Sequence, residues 1–194
     1  MFRIRDPDPH AVDARRILAL RIEALSRGRF FRTYHVLFNR PYSSGNLRVH
    51  RHTLPAHMPL SGLAARWLPQ HGKQDVIRFA RAVRREIVAY HNRLGVVADA
   101  KRHAETAHEQ SDDTDIVPIV DVRTADAEAK QVHVEWADGR TGRVELGEDG
   151  VVGRMVVLGP YGRTWSAGMD AKWVNGREVR EVHGLLARMG VDLP

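Results

Sequence analysis

The sequence predicts an α+β protein built on one plan used twice, a short meander of antiparallel strands followed by a helix. Two periodicities and their punctuation carry that expectation. Apolar residues alternate over Ile17–Thr53 and again over Val117–Leu158, and they take three-four spacing between Val76 and Val97 and again from Val179 to Met189. Glycine, proline, asparagine and aspartate cluster between these stretches, where turns belong.

The first meander starts near Ile17, where Leu18, Leu20, Ile22 and Ala24 alternate with Ala19, Arg21 and Glu23. Ala14–Leu25 also carries enough Ala and Leu to be drawn as a helix. The break at Arg27–Arg29 and the aromatic, β-branched run Phe30–Phe38 favour strands. Pro41–Asn46 is a loop, and Asn46–Thr53 reads as a third strand with Leu47, Val49, Arg51 and Thr53 on one face. Pro55 and Pro59 exclude a regular helix or a central strand and suit a fixed turn. Ser61 is placed as N-cap of a short helix through Leu68, which Pro69 stops. From about Lys73, Val76, Phe79, Val83, Ile87, Tyr90, Leu94 and Val97 form one helical stripe, with Arg78, Arg81, Arg85 and Glu86 away from its centre. Solitary helices are marginal in water, so this stripe is expected to bury against the meander before it. Gly95 is a point where the helix can bend or break, and the polar stretch Ala104–Asp115 is expected to be a linker.

The second meander opens with Val117–Val122. Val132, Val134 and Trp136 then alternate cleanly with His133 and Glu135, and Asp138-Gly139 invites a tight hairpin turn because both residues tolerate positive φ. Val144 and Leu146 return on the partner strand, Gly147–Gly150 turns again, and Val151–Leu158 is read as the last strand. After a glycine-rich loop, Gly159–Gly168, a terminal helix carries Val179, Val182, Leu186 and Met189 and stops at Gly190. The two halves are placed at residues 1–108 and 109–194; one continuous unit sharing the long helix is the alternative.

Composition narrows the function. The 194 residues include no cysteine, which excludes disulfides, thiolate zinc sites and thiol nucleophiles. No apolar run is long enough for a transmembrane helix, and Met1–Arg16, with its acids, arginines and prolines, does not read as a secretory signal. The net charge of +6 is uneven: 20 Lys/Arg stand against 9 Asp/Glu through Gln110, and 10 against 15 from Ser111 onward. A basic half raises the prior for nucleic acid or acidic partners. Aromatic residues are not interleaved with the basic ones as a base-stacking platform requires, which favours solvated faces.

A search for chemistry leaves no catalytic, cofactor-binding or metal-ligating residue assigned. His50 and His52 share a strand face and His57 follows, but Arg48–Leu60 contains no Asp or Glu to complete a metal site. Gly159–Gly162 with Arg163 lacks the spacing and the Lys-Ser/Thr ending of a phosphate loop. Ser43-Ser44 lies outside any Gly-x-Ser-x-Gly elbow, and Asp112, Asp113 and Asp115 read as solvating linker residues. The far face of the long helix, with Arg84, Arg85 and Arg93, is a surface that an acidic partner could read.

The segment Leu47–Leu60, LRVHRHTLPAHMPL, resembles the central signature of the centromere protein O (CENP-O) family. Leu20–Glu23, and Gly28–Phe30 followed by Tyr34–Phe38, resemble the family's strand pair. Leu63–Pro69 and Asp75–Glu86 resemble its helices, and Asp126–Arg140 is similar to a later piece found in filamentous fungi. The likeness spans most of Ile17–Leu158. It implies tandem RWD domains, each a meandering sheet backed by helices, in a non-enzymatic subunit of the inner kinetochore in the nucleus. It further implies a heterodimer with the tandem-RWD subunit CENP-P, docked onto the CENP-Q and CENP-U coiled-coil pair at centromeric chromatin. RWD domains share their shape with ubiquitin-conjugating enzymes, whose thioester chemistry needs a cysteine that this chain lacks. Family members begin with a coiled-coil region; none is legible here, so the chain reads as the folded C-terminal part or as a trimmed form. His57 and Met58 are less apolar than the family tends to have at the turn. A basic nucleic-acid-binding module at chromatin is the alternative.

Overall fold

The computed structural model describes residues 1–6, 10, 16–26, 29, 30, 32–110, 117–159, 164 and 165. The chain is α+β and divides into two compact units, Met1–Val88 and Ala89–Pro194.

In the first unit, β1 (Phe2–Arg5), β2 (Arg16–Ile22), β5 (Tyr34–Asn39) and β6 (Arg48–His52) form an antiparallel sheet in the order β1-β2-β5-β6. Between β2 and β5, the two-residue strands β3 (Leu25–Ser26) and β4 (Arg29–Phe30) pair only with each other. The register sets Leu18 opposite Phe38, Leu20 opposite Val36 and Ile22 opposite Tyr34, so one face is apolar across two strands. That face meets Leu47, Leu54, Leu60 and Leu68, and then Phe79, Val83 and Ile87 of a helix. Phe38 and Phe79 meet edge to face with ring centroids 5.7 Å apart, a geometry worth about 0.5–1.5 kcal/mol beyond area burial.

Several local expectations change in this unit. The charged N-terminus supplies an extra strand, β1. The run expected as one strand over Phe30–Phe38 is interrupted: Phe30 stands in the small hairpin, 78% exposed, and the sheet strand starts at Tyr34. Ile17 and Ala19 are buried on the face opposite Leu20 and Ile22, so β2 is covered on both sides and strict alternation fails there. In β6 the register slips between Leu37 and Phe38, leaving His50 as an extra residue in a bulge. Leu47 and Val49 stay with the core, but Arg51 is exposed rather than on their face.

Helix α1 spans Leu60–Trp67. Its N-cap is Pro59, not Ser61: the Pro59 carbonyl accepts the Leu63 N–H at 3.1 Å, and proline brings no N–H of its own to satisfy. Helix α2 spans Val76–Gln110. Asp75 caps it, its Oδ1 accepting the Arg78 N–H at 2.8 Å. The single stripe expected to bury against the first meander is divided between the units. Phe79, Val83 and Ile87 belong to the first core, whereas Val96, Val97, Ala100 and Ala104 belong to the second. Burial of these last residues explains why α2 passes Gly95 and continues to Gln110, where a linker was expected. A glycine costs a helix about 1 kcal/mol, less than burying two valines returns.

The second unit is a meander of β7 (Ile119–Thr124), β8 (Gln131–Trp136), β9 (Thr141–Leu146), β10 (Val152–Leu158) and the two-residue β11 (Thr164–Trp165), each pairing with the next. Val132, Val134 and Trp136 face the core with Val144 and Leu146, as their alternation predicts. The hairpin turn forms at Asp138-Gly139, but Gly139 alone takes a positive φ, 83°, while Asp138 does not; the Trp136 N–H donates to the Arg140 carbonyl at 3.0 Å. Gly150 has φ +84°, and a Cβ there would stand 2.8 Å from Val96 Cγ2, so the turn needs glycine on both counts. The strand β11 extends the sheet beyond the one expected to be last. The terminal helix through Val179–Met189, Arg163, and Asp112, Asp113 and Asp115 lie outside the described residues, as does most of the Gly159–Gly168 loop.

Candidate interaction site

The signature segment Leu47–Leu60 runs from β6 through the proline turn into α1. Pro55 and Pro59 bracket a tight turn in which the Met58 N–H donates to the Pro55 carbonyl at 3.1 Å and the Leu60 N–H to the Met58 carbonyl at 2.7 Å. Met58 packs onto the first core and His57 is half-buried, so the less apolar pair is accommodated at the rim. The start of the segment is clamped by side-chain amides. Gln74 accepts the Leu47 N–H and donates to the Leu47 carbonyl, both at 2.8 Å, imitating a strand neighbour. Its Nε2 also lies 3.0 Å from the Pro69 carbonyl. Asn46 Nδ2 faces the carbonyls of Pro69, Gln70 and Gly72 at 3.2, 3.0 and 3.0 Å. Ser44 Oγ donates to the Gln70 carbonyl at 3.5 Å, which gives this serine a structural role in the same loop.

The bulge in β6 separates the histidines. His50 is turned toward Asp6, which follows β1, and toward Asn39 of β5; His52 is exposed. Asn39 Nδ2 is 3.4 Å from His50 Nδ1, and His50 Nε2 is 3.3 Å from Asp6 Oδ2. Asp6 and Asn39 are buried, so this polar chain links the two edge strands of the sheet across one face. Nδ1 lies at hydrogen-bond distance from Asn39, whereas Nε2 makes no hydrogen bond among the described residues and meets Asp6 only as a contact at ion-pair distance, an arrangement that reads as a structural clip between strands. Asp6 escaped sequence reasoning because 44 positions separate it from His50, and only strand pairing brings them together.

Basic side chains are distributed unevenly in role. The Arg66 and Arg78 guanidiniums lie over the Trp67 ring, 4.9 and 5.4 Å from its centroid, in cation–π contact at the end of α1. Arg84 and Arg85 of α2 are exposed, as a partner-facing surface requires. Arg93 is not: it is 4% exposed and its Nε donates to the Glu128 carbonyl at 3.0 Å, which removes it from the proposed basic face. In the second unit, Arg123 bridges Asp121 and Glu135 at 2.7 Å each, and His133 meets the same Glu135 at 2.9 Å. The hydrogen bonds to Asp121 and Glu135 raise the Arg123 pKa above its ordinary value, whereas burial lowers that of His91. Among the described residues, no group of three His, Asp or Glu is arranged to hold a metal ion, and no helix is long and apolar enough to cross a membrane.

No curated protein matches the chain. The model of the family described as Cenp-O kinetochore centromere component matches residues 1–189, nearly the whole length and both units described above. The chain therefore belongs to the Cenp-O family, structural components of the kinetochore, located in the nucleus at the centromere of chromosomes.

Proposed function

We propose that the chain is a non-catalytic scaffold subunit of the inner kinetochore, in which two RWD-like modules, residues 1–108 and 109–194, hold neighbouring subunits in place. Its closest contact is a CENP-P-like tandem-RWD subunit, in a heterodimer that docks onto CENP-Q- and CENP-U-like coiled-coil subunits and so reaches centromeric chromatin, supporting kinetochore assembly and chromosome segregation. The observation that carries this reading is the family match over residues 1–189, supported by two sheet-and-helix units of similar plan. A catalytic role finds little chemistry to draw on: the chain has no thiol, and His50 already faces Asn39 and Asp6. The alternative is direct nucleic-acid binding by the basic half, favoured by the exposed Arg84 and Arg85.

The test is co-expression with a CENP-P-like subunit, followed by size-exclusion chromatography with mass determination. A stable one-to-one complex with weak DNA binding is expected. A chain that stays alone beside that subunit, yet shifts with DNA at moderate salt, would overturn the scaffold reading.

A further inference from the structure

The most exposed strand of the first sheet carries a charge arrangement that no described residue answers. Strand β1, Phe2-Arg-Ile-Arg5, pairs with β2 on one side and, among the described residues, with nothing on the other. Its outer edge therefore presents unpaired backbone donors and acceptors, the template on which a further strand is added. Its side chains sort by face. Phe2 and Ile4 lie on one, 42% and 37% exposed, with Phe2 edge-on to His35 at 6.5 Å. Arg3 and Arg5 lie on the other, opposite Leu18 and Arg16.

Beside β1, a cleft of ≈ 650 Å³ is lined by Arg3, Arg5, Arg16 and Arg40 together with the apolar Ile4, Ile17, Leu18, Phe38 and Leu47. None of the described residues lining the cleft is acidic, and none of these four arginines makes an ion pair or side-chain hydrogen bond among the described residues. Arg5 and Arg16 are direct cross-strand partners, a like-charge pairing that opposes the sheet unless an anion stands between them. Arginines on an edge strand can serve merely to keep other strands away. Here two of the four come from outside the edge strand, one from β2 and one from the residue after β5, and all converge on one concave surface.

We infer that β1 is a docking edge for an acidic, extended peptide segment of a partner protein, which adds as a strand outside β1. Alternate residues of that segment would be acidic, meeting Arg3, Arg5, Arg16 and Arg40, and the residues between them apolar, covering Phe2 and Ile4. Guanidinium forks match carboxylates in pairs, and main-chain pairing supplies the register. This inference does not rest on which subunit the scaffold binds elsewhere.

The experiment is fluorescence anisotropy on the full chain with labelled eight-residue peptides. One alternates glutamate and valine; a second has the same composition in two blocks; a third is the alternating peptide N-methylated at every second residue. The alternating peptide is expected to bind, to weaken as salt rises past a Debye length of about 10 Å at 0.1 M, and to lose at least about tenfold in affinity on N-methylation or blocking. The double substitution Arg3→Glu/Arg5→Glu should cost at least about tenfold as well, with an unchanged circular dichroism spectrum. The N-methylated arm uses the unaltered chain, so the test stands even where the substituted chain misfolds. Equal binding of the block peptide, no loss on N-methylation, or no binding at millimolar peptide would overturn the inference. Tighter binding of a DNA duplex, lost in the same double variant, would overturn it too and assign the cleft to nucleic acid.

Discussion

Replacing Gln74 by alanine tests whether the signature segment is held by side-chain amides as much as by its apolar core. The Gln74 amide accepts from the Leu47 N–H and donates to the carbonyls of Leu47 and Pro69, at 2.8, 2.8 and 3.0 Å. Each such bond contributes about 0.5–1.5 kcal/mol net, so three give a ceiling of about 4.5 kcal/mol. The site is only part-buried, and water recovers some of the freed backbone groups, which sets the expected loss at about 2 kcal/mol. For a unit of this size, that loss lowers Tm by about 8–16 °C. Urea denaturation read by Trp67, the only tryptophan in Met1–Val88, measures it directly. Amide exchange at Leu47 should accelerate in parallel. Gln74→Glu sharpens the test. The carboxylate still accepts from Leu47 N–H but sets its second oxygen against two carbonyls, so at neutral pH it should destabilise at least as much as alanine. Protonating that carboxyl restores a donor, so its deficit should shrink as pH falls. An alanine variant within about 0.5 kcal/mol of the parent would refute the clamp, since that is the size of an unremarkable surface change.

Other consequences follow from single contacts. Gly142→Ala would bring a Cβ within 2.8 Å of Trp136 Cη2, and Trp136 is 3% exposed with little room to yield; a loss of about 1–3 kcal/mol, with altered tryptophan emission, is expected from urea denaturation. Phe38→Ala removes a ring that is 0% exposed and packed edge-on against Phe79; calorimetry should register a loss of about 3–5 kcal/mol. Burial lowers the His91 pKa from 6.5, so between that value and the lowered one the unfolded chain binds more protons than the folded chain. The His91 contribution is thus present above pH 6.5 and lost as pH falls through the folded pKa; urea midpoints across this range should fall less steeply in His91→Gln. Arg123→Ala breaks pairs to Asp121 and Glu135 on an exposed face, and the thermal midpoint should hardly move, least of all at high salt.

The regular parts of the fold were legible because their period and their burial agree. Val132, Val134 and Trp136 face one core, the Asp138-Gly139 turn closes where its positive φ is tolerated, and Phe79, Val83 and Ile87 form the helical stripe expected of them. The signature segment was legible as well, since Pro55 and Pro59 restrict their own backbone whatever surrounds them. Errors arose where a neighbour distant in sequence outweighed the local pattern. Ala104 and the turns after Gly95 read as a weak helix end leading into a linker, yet burial against the second sheet carries α2 to Gln110. Arg93 reads as one more solvated arginine, but the Glu128 carbonyl is within its reach and draws it inward.

The α+β class, the two meanders, the proline turn, the absence of thiol chemistry and the family to which the chain belongs can all be read along the chain. These follow from local periodicity, from residues that constrain their own φ, and from composition, none of which needs a third dimension. Folding in three dimensions was needed to show that the long helix serves two cores, that a bulge parts His50 from His52 and gives it to Asp6, and that four arginines gather beside Leu18 and Phe38. Each of those depends on strand register and on which distant surface covers a side chain, and a one-residue slip in register redirects every side chain beyond it.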